Sequence, residues 1–341
     1  MTPLQRLTAT LNGEPTDRIP VFCNLLDQGA QELGMSLEQY YAKGANVAEG
    51  QLRMQRKYGY DNVWSLFYVG KEAELLGCRK ILFAEDGPPN VEHFVIQDYG
   101  DIERLEVPDD IAALPAFAET AECLRILRAE VGGKVPICAY LTASMTLPAL
   151  LMGMDKWMEL LLTGPVELRD LLLEKCSLFF RRQAAAYRAA GADVLLYSNP
   201  FGSTYFVGMK RFQALSLPWM EKDLLPDGVD DVVYYCGSAP FNNVIEQVRE
   251  RLGIRVYYLG PEDDVAEGKR LVGGQGMACG VINDIKLLRW STDEICAEVR
   301  RIVEAGKPGG RFLFGTVVMP YAIPEGKIRA MLGAAFEYGK F

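Results

Sequence analysis

The sequence predicts an α/β fold, a (β/α)8 TIM barrel with a hairpin inserted between its second and third strands. Three observations predict it. Eight short runs of apolar, β-branched or aromatic residues alternate with longer amphipathic stretches, which is the pattern of a parallel sheet buried on both faces. The 341 residues suffice for eight such units. The stretch FCNLLDQGAQ, which follows the first run, carries no Gly-x-Gly-x-x-Gly, and this argues against a doubly wound open sheet.

The elements follow in order. MTPLQRLTATLNGEPTDR reads as a helix and loop, and RIPVFCN (18–24) as the first strand. A helical stretch, LEQYYAKGANVAEGQLRMQRKYG, leads to NVWSLFY (62–68). Then comes an irregularity: KEAELLG, CRKILFAED, GPPN and VEHFVIQDYGDIERLEVPDD. Gly-Pro-Pro marks a turn, so this segment is expected to be a hairpin over the C-terminal mouth, where barrels build their active sites. The remaining strands are VPICAYLT (135–142), DVLLYSN (193–199), DVVYYCG (231–237), RVYYLGP (255–261), GMACGVIN (276–283) and RFLFGTV (311–317). Helical stretches such as FNNVIEQVRERLG and STDEICAEVRRIVEAGKPGG separate them. Gly273, Gly274 and Gly276 are not closed by Lys-Ser/Thr, so they read as a helix end and not as a phosphate loop. Residues 1–341 are expected to form one barrel domain without internal repeats or a linker.

Composition narrows the function. The chain is 49% apolar and 24% charged with a formal net charge of −9, which argues against nucleic acid or an anionic membrane as partner. No apolar run reaches the length of a membrane span. The eight cysteines are dispersed, without CxxC, and no secretory leader pattern opens the chain. Reduced thiols and a cytoplasmic location are therefore expected. There is one histidine, His93, so mechanisms needing two from one chain are excluded.

Candidate site residues gather at strand ends. Side chains alternate along a strand, so Tyr234 and Cys236 share a face and Tyr235 takes the other. Cys236 is either a core thiol or a metal ligand. Tyr234 either fills the barrel or donates a hydrogen bond. Asn24, Tyr68, Tyr140 and Asn199, with Asn283 and Asp284, offer amides, phenols and a carboxylate suited to a small oxygenated aromatic. Aromatic residues in SLFY, PFGSTYF and MPYAIP could sandwich a ring or simply pack a core. His93, in the inserted segment, is a surface residue or else a ligand or acid. Glu72 faces solvent or joins it.

Several segments together resemble the uroporphyrinogen decarboxylase superfamily, and within it the cobamide-dependent methyltransferases. They are LTATLNGEPTDRIPV (7–21), EAELLG (72–77), GADVLLYSNPFGSTYFVGMKRFQALSLPWMEKDLL (191–225), VVYYCGS (232–238) and GGRFLFGTVVMPYAIPEGKIRAMLGAAFEYGKF (309–341). The resemblance spans nearly the whole chain and implies the same barrel. Its decarboxylases hold a four-carboxylate porphyrinogen with an Arg-rich segment after the first strand and an Asp after the second. Here CNLLDQGAQ has no arginine and Tyr68 stands about where the Asp would be, which argues against that activity. Its coenzyme-M-type enzymes bind zinc through His-x-Cys and a distant Cys. Cys236 matches the first Cys, but Tyr234 stands in place of the His, and the distal position falls near Val317.

The remaining branch contains the first methyltransferases of O-demethylase systems, associated with a Glu-x14-Glu-x20-His zinc pattern. Glu72 and His93 fit its second half, whereas the upstream position is Lys57. The resemblance thus implies a methyltransferase that moves a methyl group from an aryl methyl ether to Co(I) of a corrinoid protein. The alternatives are a methylamine or methyl-sulfur donor, a porphyrinogen decarboxylase, or a barrel that only binds. Tyr234 and His93 are the expected catalytic groups. Asn24, Tyr68, Tyr140 and Asn199 would bind substrate, and Glu72, His93 and Cys236 would be the ligands of a zinc ion. Cobalamin would come with the corrinoid partner. A small-molecule methyl donor and, as an oligomeric option, a second copy of the chain complete the expected partners.

Overall fold

In the computed structural model, which describes residues 1–85 and 87–341, seven parallel strands curl in chain order around a central lumen. They are β1 (Val63–Trp64), β4 (Ile137–Thr142), β5 (Val194–Ser198), β6 (Val232–Tyr235), β7 (Val256–Tyr258), β8 (Met277–Ile282) and β9 (Phe312–Thr316). The expected hairpin is present between the second and third strand positions as β2 (Ile81–Leu82) paired antiparallel with β3 (Asn90–Val91). Its root rests on Gly70 (φ 101°), where a Cβ would meet Ile81 and Val91 at 3.1 Å. Glycine meets both demands there, the left-handed backbone and the close approach.

The segment expected as the first strand closes the curl by a single bridge, Val21 opposite Phe314. Phe22 N–H donates to the Phe314 carbonyl (2.9 Å), Phe314 N–H to Pro20 (3.0 Å) and Asp61 N–H to Val21 (2.7 Å). A longer ladder is prevented for a local reason. Pro20 has no N–H to give, and side chains take over the neighbouring amides. Val21 N–H goes to Asp61 Oδ2, Cys23 N–H to Asn62 Oδ1 and Asn24 N–H to Thr316 Oγ1. Asp61 also accepts from Arg6 and Arg18 while fully buried, so one carboxylate ties the first helix (Pro3–Asn12) and the closing segment to the start of β1.

The strands are buried on both faces, and alternation sorts their side chains into two layers. Trp64, Cys138, Tyr140, Leu196, Val233, Tyr235 and Tyr258 fill the lumen. Val63, Ile137, Ala139, Leu195, Tyr197, Val232 and Tyr234 pack outward against helices. The longest of these helices, Val166–Ala190, ends at Gly191 (φ 106°), whose N–H returns to the carbonyls of Arg188 and Tyr187. This is the left-handed cap that lets the chain turn back into β5. Among the described residues no helix is long and apolar enough to cross a membrane.

Candidate functional site

The alternation decides which strand residues reach the mouth through the lumen. On β6 these are Val233 and Tyr235. The Tyr235 ring lies edge-on to Tyr140 (5.9 Å between centroids) and to Tyr258 (5.7 Å). Tyr140 in turn stacks on Phe67 at 4.2 Å, and its phenol is 2.8 Å from Ser198 Oγ. The result is an aromatic wall with a pair of hydroxyls set into it. Asn24 follows Phe22 by two residues, so its side chain falls on the lumen face. It is fully buried, yet neither its amide nitrogen nor its amide oxygen has a partner. Burying an unpaired amide is costly unless a ligand or water completes it. Among the described residues the buried cations are Arg6 and Lys71. Arg6 is bound to Asp17 and Asp61, and Lys71 to Glu74, so neither is free to meet an anion.

Three expected site residues face elsewhere. Tyr234 points behind the wall, where it stacks on Phe241 at 4.5 Å and lies 6.0 Å from Tyr197. Asn199 is buried against the same layer. Its Oδ1 accepts from Thr146 Oγ1 (3.4 Å), and a Cβ on Gly202 would sit 2.4 Å from it. Tyr68 points under the hairpin, where it donates to Glu74 Oε2 (2.6 Å) and packs on Tyr41 and Phe83. In each case the adjacent residue (Tyr235, Ser198 or Phe67) takes the lumen position. Period-two alternation yields two sets of side chains but does not say which is inside, and the sequence reading took the wrong neighbour at these strands. Of the four expected binding residues, Tyr140 and Asn24 do reach the lumen. Tyr258, whose buried hydroxyl is also unpartnered, was not anticipated.

The expected metal ligands are not brought together. Glu72, on the short helix Lys71–Leu75, is buried with Oε1 accepting Thr142 N–H at 2.7 Å. Its Oε2 has no partner, and burial raises the carboxyl to about 7 despite the Thr142 bond. His93 is exposed on the hairpin, and its carbonyl accepts from Cys78 Sγ at 3.2 Å. Cys236 donates its thiol to the Ala239 carbonyl (3.1 Å), and burial pushes that thiol up, away from the thiolate. Among the described residues no three His, Cys, Asp or Glu side chains converge as a metal site. The residues present therefore do not fit a zinc ion held by Glu72, His93 and Cys236. Cys236 does border a cavity of about 490 Å3 at the mouth, with Pro200, Tyr205, Phe206, Pro240 and Glu262.

Known proteins share this fold. The uroporphyrinogen decarboxylase (URO-D) family model matches residues 2–338. The chain is 27% identical to the methylcobamide:CoM methyltransferase MtbA of Methanosarcina acetivorans over 254 residues, 70% of this chain and 71% of that one. It is 25% identical to the uroporphyrinogen decarboxylase of Geobacter metallireducens over 340 residues, 93% of this chain and 94% of that one. The solved structure of a methyltransferase from Methanosarcina mazei superposes with a TM-score of 0.85 over 99% of both chains at 22% identity, which is the same barrel. The chain therefore belongs to the uroporphyrinogen decarboxylase family, on the side of its cobamide-dependent methyltransferases.

Proposed function

We propose that this barrel takes a methyl group from an aryl methyl ether and delivers it to the Co(I) of a separate corrinoid protein docked over the C-terminal face. The observation that carries this reading is the mouth's chemistry: an aromatic wall, a hydroxyl pair and an unpaired Asn24 amide, with both buried cations already engaged. Such a mouth suits a neutral ring with oxygen substituents. It opposes a polycarboxylate porphyrinogen, which needs arginines to neutralise it.

In the transfer, cobalt's electron pair forms the bond to the methyl carbon and the methyl–oxygen bond breaks. Its pair stays on the phenolate oxygen, which a proton then neutralises. The chain's part is to hold the ether with its methyl toward the open mouth and to stabilise the departing oxygen. Tyr140, hydrogen-bonded with Ser198, is the donor suited to that oxygen.

A methylamine or methyl-sulfur donor is the second reading, and the likeness to a methylated-thiol–coenzyme M methyltransferase of Methanosarcina mazei supports the sulfur donor. Anaerobic spectroscopy with the Co(I) corrinoid partner and a panel of all three donor types tests the choice. Formation of methyl-Co(III) with methoxyarenes supports the ether. Turnover with methylamines or methyl thiols alone moves the assignment to the second reading.

A further inference from the structure

At the end of the barrel opposite the mouth, where β5, β6, β7 and β9 begin, lies a cavity of about 180 Å3. Leu4, Leu7 and Leu11 of the first helix roof it, and Phe22, Val256 and Leu313 form its floor. Leu7 and Leu11 are only half-buried, so the roof leaves the cavity open to solvent on one side. An apolar cavity of roughly 150 Å3 stays dry and admits a benzene ring, so this one has room for a single ring.

Its rim is acidic. Asp193, Asp230 and Asp231 all line it. Asp193 is matched by Arg128 and the Ile137 amide, and Asp231 by both arms of Arg188. Asp230 is exposed and makes no hydrogen bond or ion pair among the described residues. One carboxylate is thus left over beside an apolar hole. Arg255 and Arg311 sit on the Leu11 and Asn12 carbonyls at one end of the roof, so a cationic head on an apolar body is favoured at the Asp230 side of the hole.

We propose that this lower cavity is a second small-molecule site, which takes a one-ring apolar ligand bearing an ammonium group. It shares Val233 and Tyr258 with the lumen layer beneath the aromatic wall but uses neither Tyr140, Ser198 nor Asn24, so its test does not depend on the methyl-transfer reading.

Calorimetric titration of the full chain with benzylamine, benzyl alcohol and benzoate at neutral pH tests it. Benzylamine is expected to bind saturably at one site. Benzyl alcohol should bind about threefold more weakly, as expected for one exposed charge contact, and benzoate at least about tenfold more weakly. Asp230→Asn should bring benzylamine to the level of benzyl alcohol, and Leu7→Trp or Leu11→Trp, which fill the hole, should abolish binding. A crystal soaked with para-bromobenzylamine should show bromine under the first helix, a result that does not depend on any variant folding. The proposal is overturned by absence of saturable binding, by benzoate binding as tightly as benzylamine, or by bromine bound elsewhere.

Discussion

The Tyr140 phenol and the Ser198 hydroxyl meet at 2.8 Å on the lumen face of neighbouring strands β4 and β5. Phe67 stacks on one side of the Tyr140 ring, and Tyr235 stands edge-on to it. The ring is therefore held by packing while its polar tip is oriented by a hydroxyl. A donor fixed in this way needs no reorganisation when charge develops on a departing oxygen.

Tyr140→Phe should lower kcat for methyl transfer by at least about tenfold, in the range for loss of one oxyanion donor or acid. KM should change much less, because the ring and its stacking survive. Ser198→Ala should have a smaller effect in the same direction. Steady-state kinetics with the corrinoid partner separates the two parameters.

Tyr234→Phe should leave activity within about twofold. Its hydroxyl is buried behind the wall without a partner. Removing an unsatisfied buried hydroxyl is neutral or stabilising, by up to about 1 kcal/mol. Urea unfolding checks the stability and the kinetic assay checks the activity.

Glu72 gives the fold a pH dependence. Burial raises its folded-state carboxyl from 4.5 to about 7, so between those values the folded chain holds the proton that the unfolded chain has released. Stability therefore falls as pH rises through that window and levels off above it. The full effect is on the order of 3 kcal/mol. Glu72→Gln keeps an acceptor for the Thr142 amide and removes the titration. The variant should gain about 2–3 kcal/mol relative to the native chain between pH 5 and pH 8, measured as the difference between the two unfolding curves.

Asp61→Ala should destabilise by about 3 kcal/mol or more. It leaves the buried Arg6 short of a partner, frees Arg18 and orphans the Val21 N–H at once. Because this carboxylate closes the barrel, the denaturation midpoint should drop sharply.

His93→Ala should change neither activity nor stability appreciably, within about 0.5 kcal/mol for stability. The side chain is exposed on the hairpin, apart from the aromatic wall. Cys236→Ala should also retain activity within about threefold, losing chiefly a small buried side chain and its bond to Ala239.

The barrel was legible in the sequence because strands buried on both faces read as continuous apolar runs, and the hairpin because Gly-Pro-Pro interrupts them. The weak closing strand was less legible. Its ladder is replaced by side chains of Asp61, Asn62 and Thr316, which only the folded chain brings beside residues 21–24. The candidate site was legible in part. Tyr140 and Asn24 lie on the lumen face, but Tyr68, Asn199 and Tyr234 each lie one residue from the lumen position. Two adjacent tyrosines on β6 carry the same strand propensity, and only the helices packed behind Tyr234 assign Tyr235 to the inside. The metal set of Glu72, His93 and Cys236 rested on resemblance to two different zinc patterns, the Glu-x20-His spacing for the first two and His-x-Cys for the third. Burial of the first, exposure of the second and the local bond of the third separate them in space.

The most direct test of the central claim is the anaerobic rate of conversion of Co(I) to methyl-Co(III) on the cognate corrinoid protein. It should be measured with a methoxyarene and three forms of this chain: native, Tyr140→Phe and Tyr234→Phe. The account predicts methyl-Co(III) with the native chain, an undiminished rate with Tyr234→Phe and a rate at least about tenfold lower with Tyr140→Phe. A rate lost in Tyr234→Phe and kept in Tyr140→Phe, or no methyl-Co(III) from any methoxyarene, would contradict it.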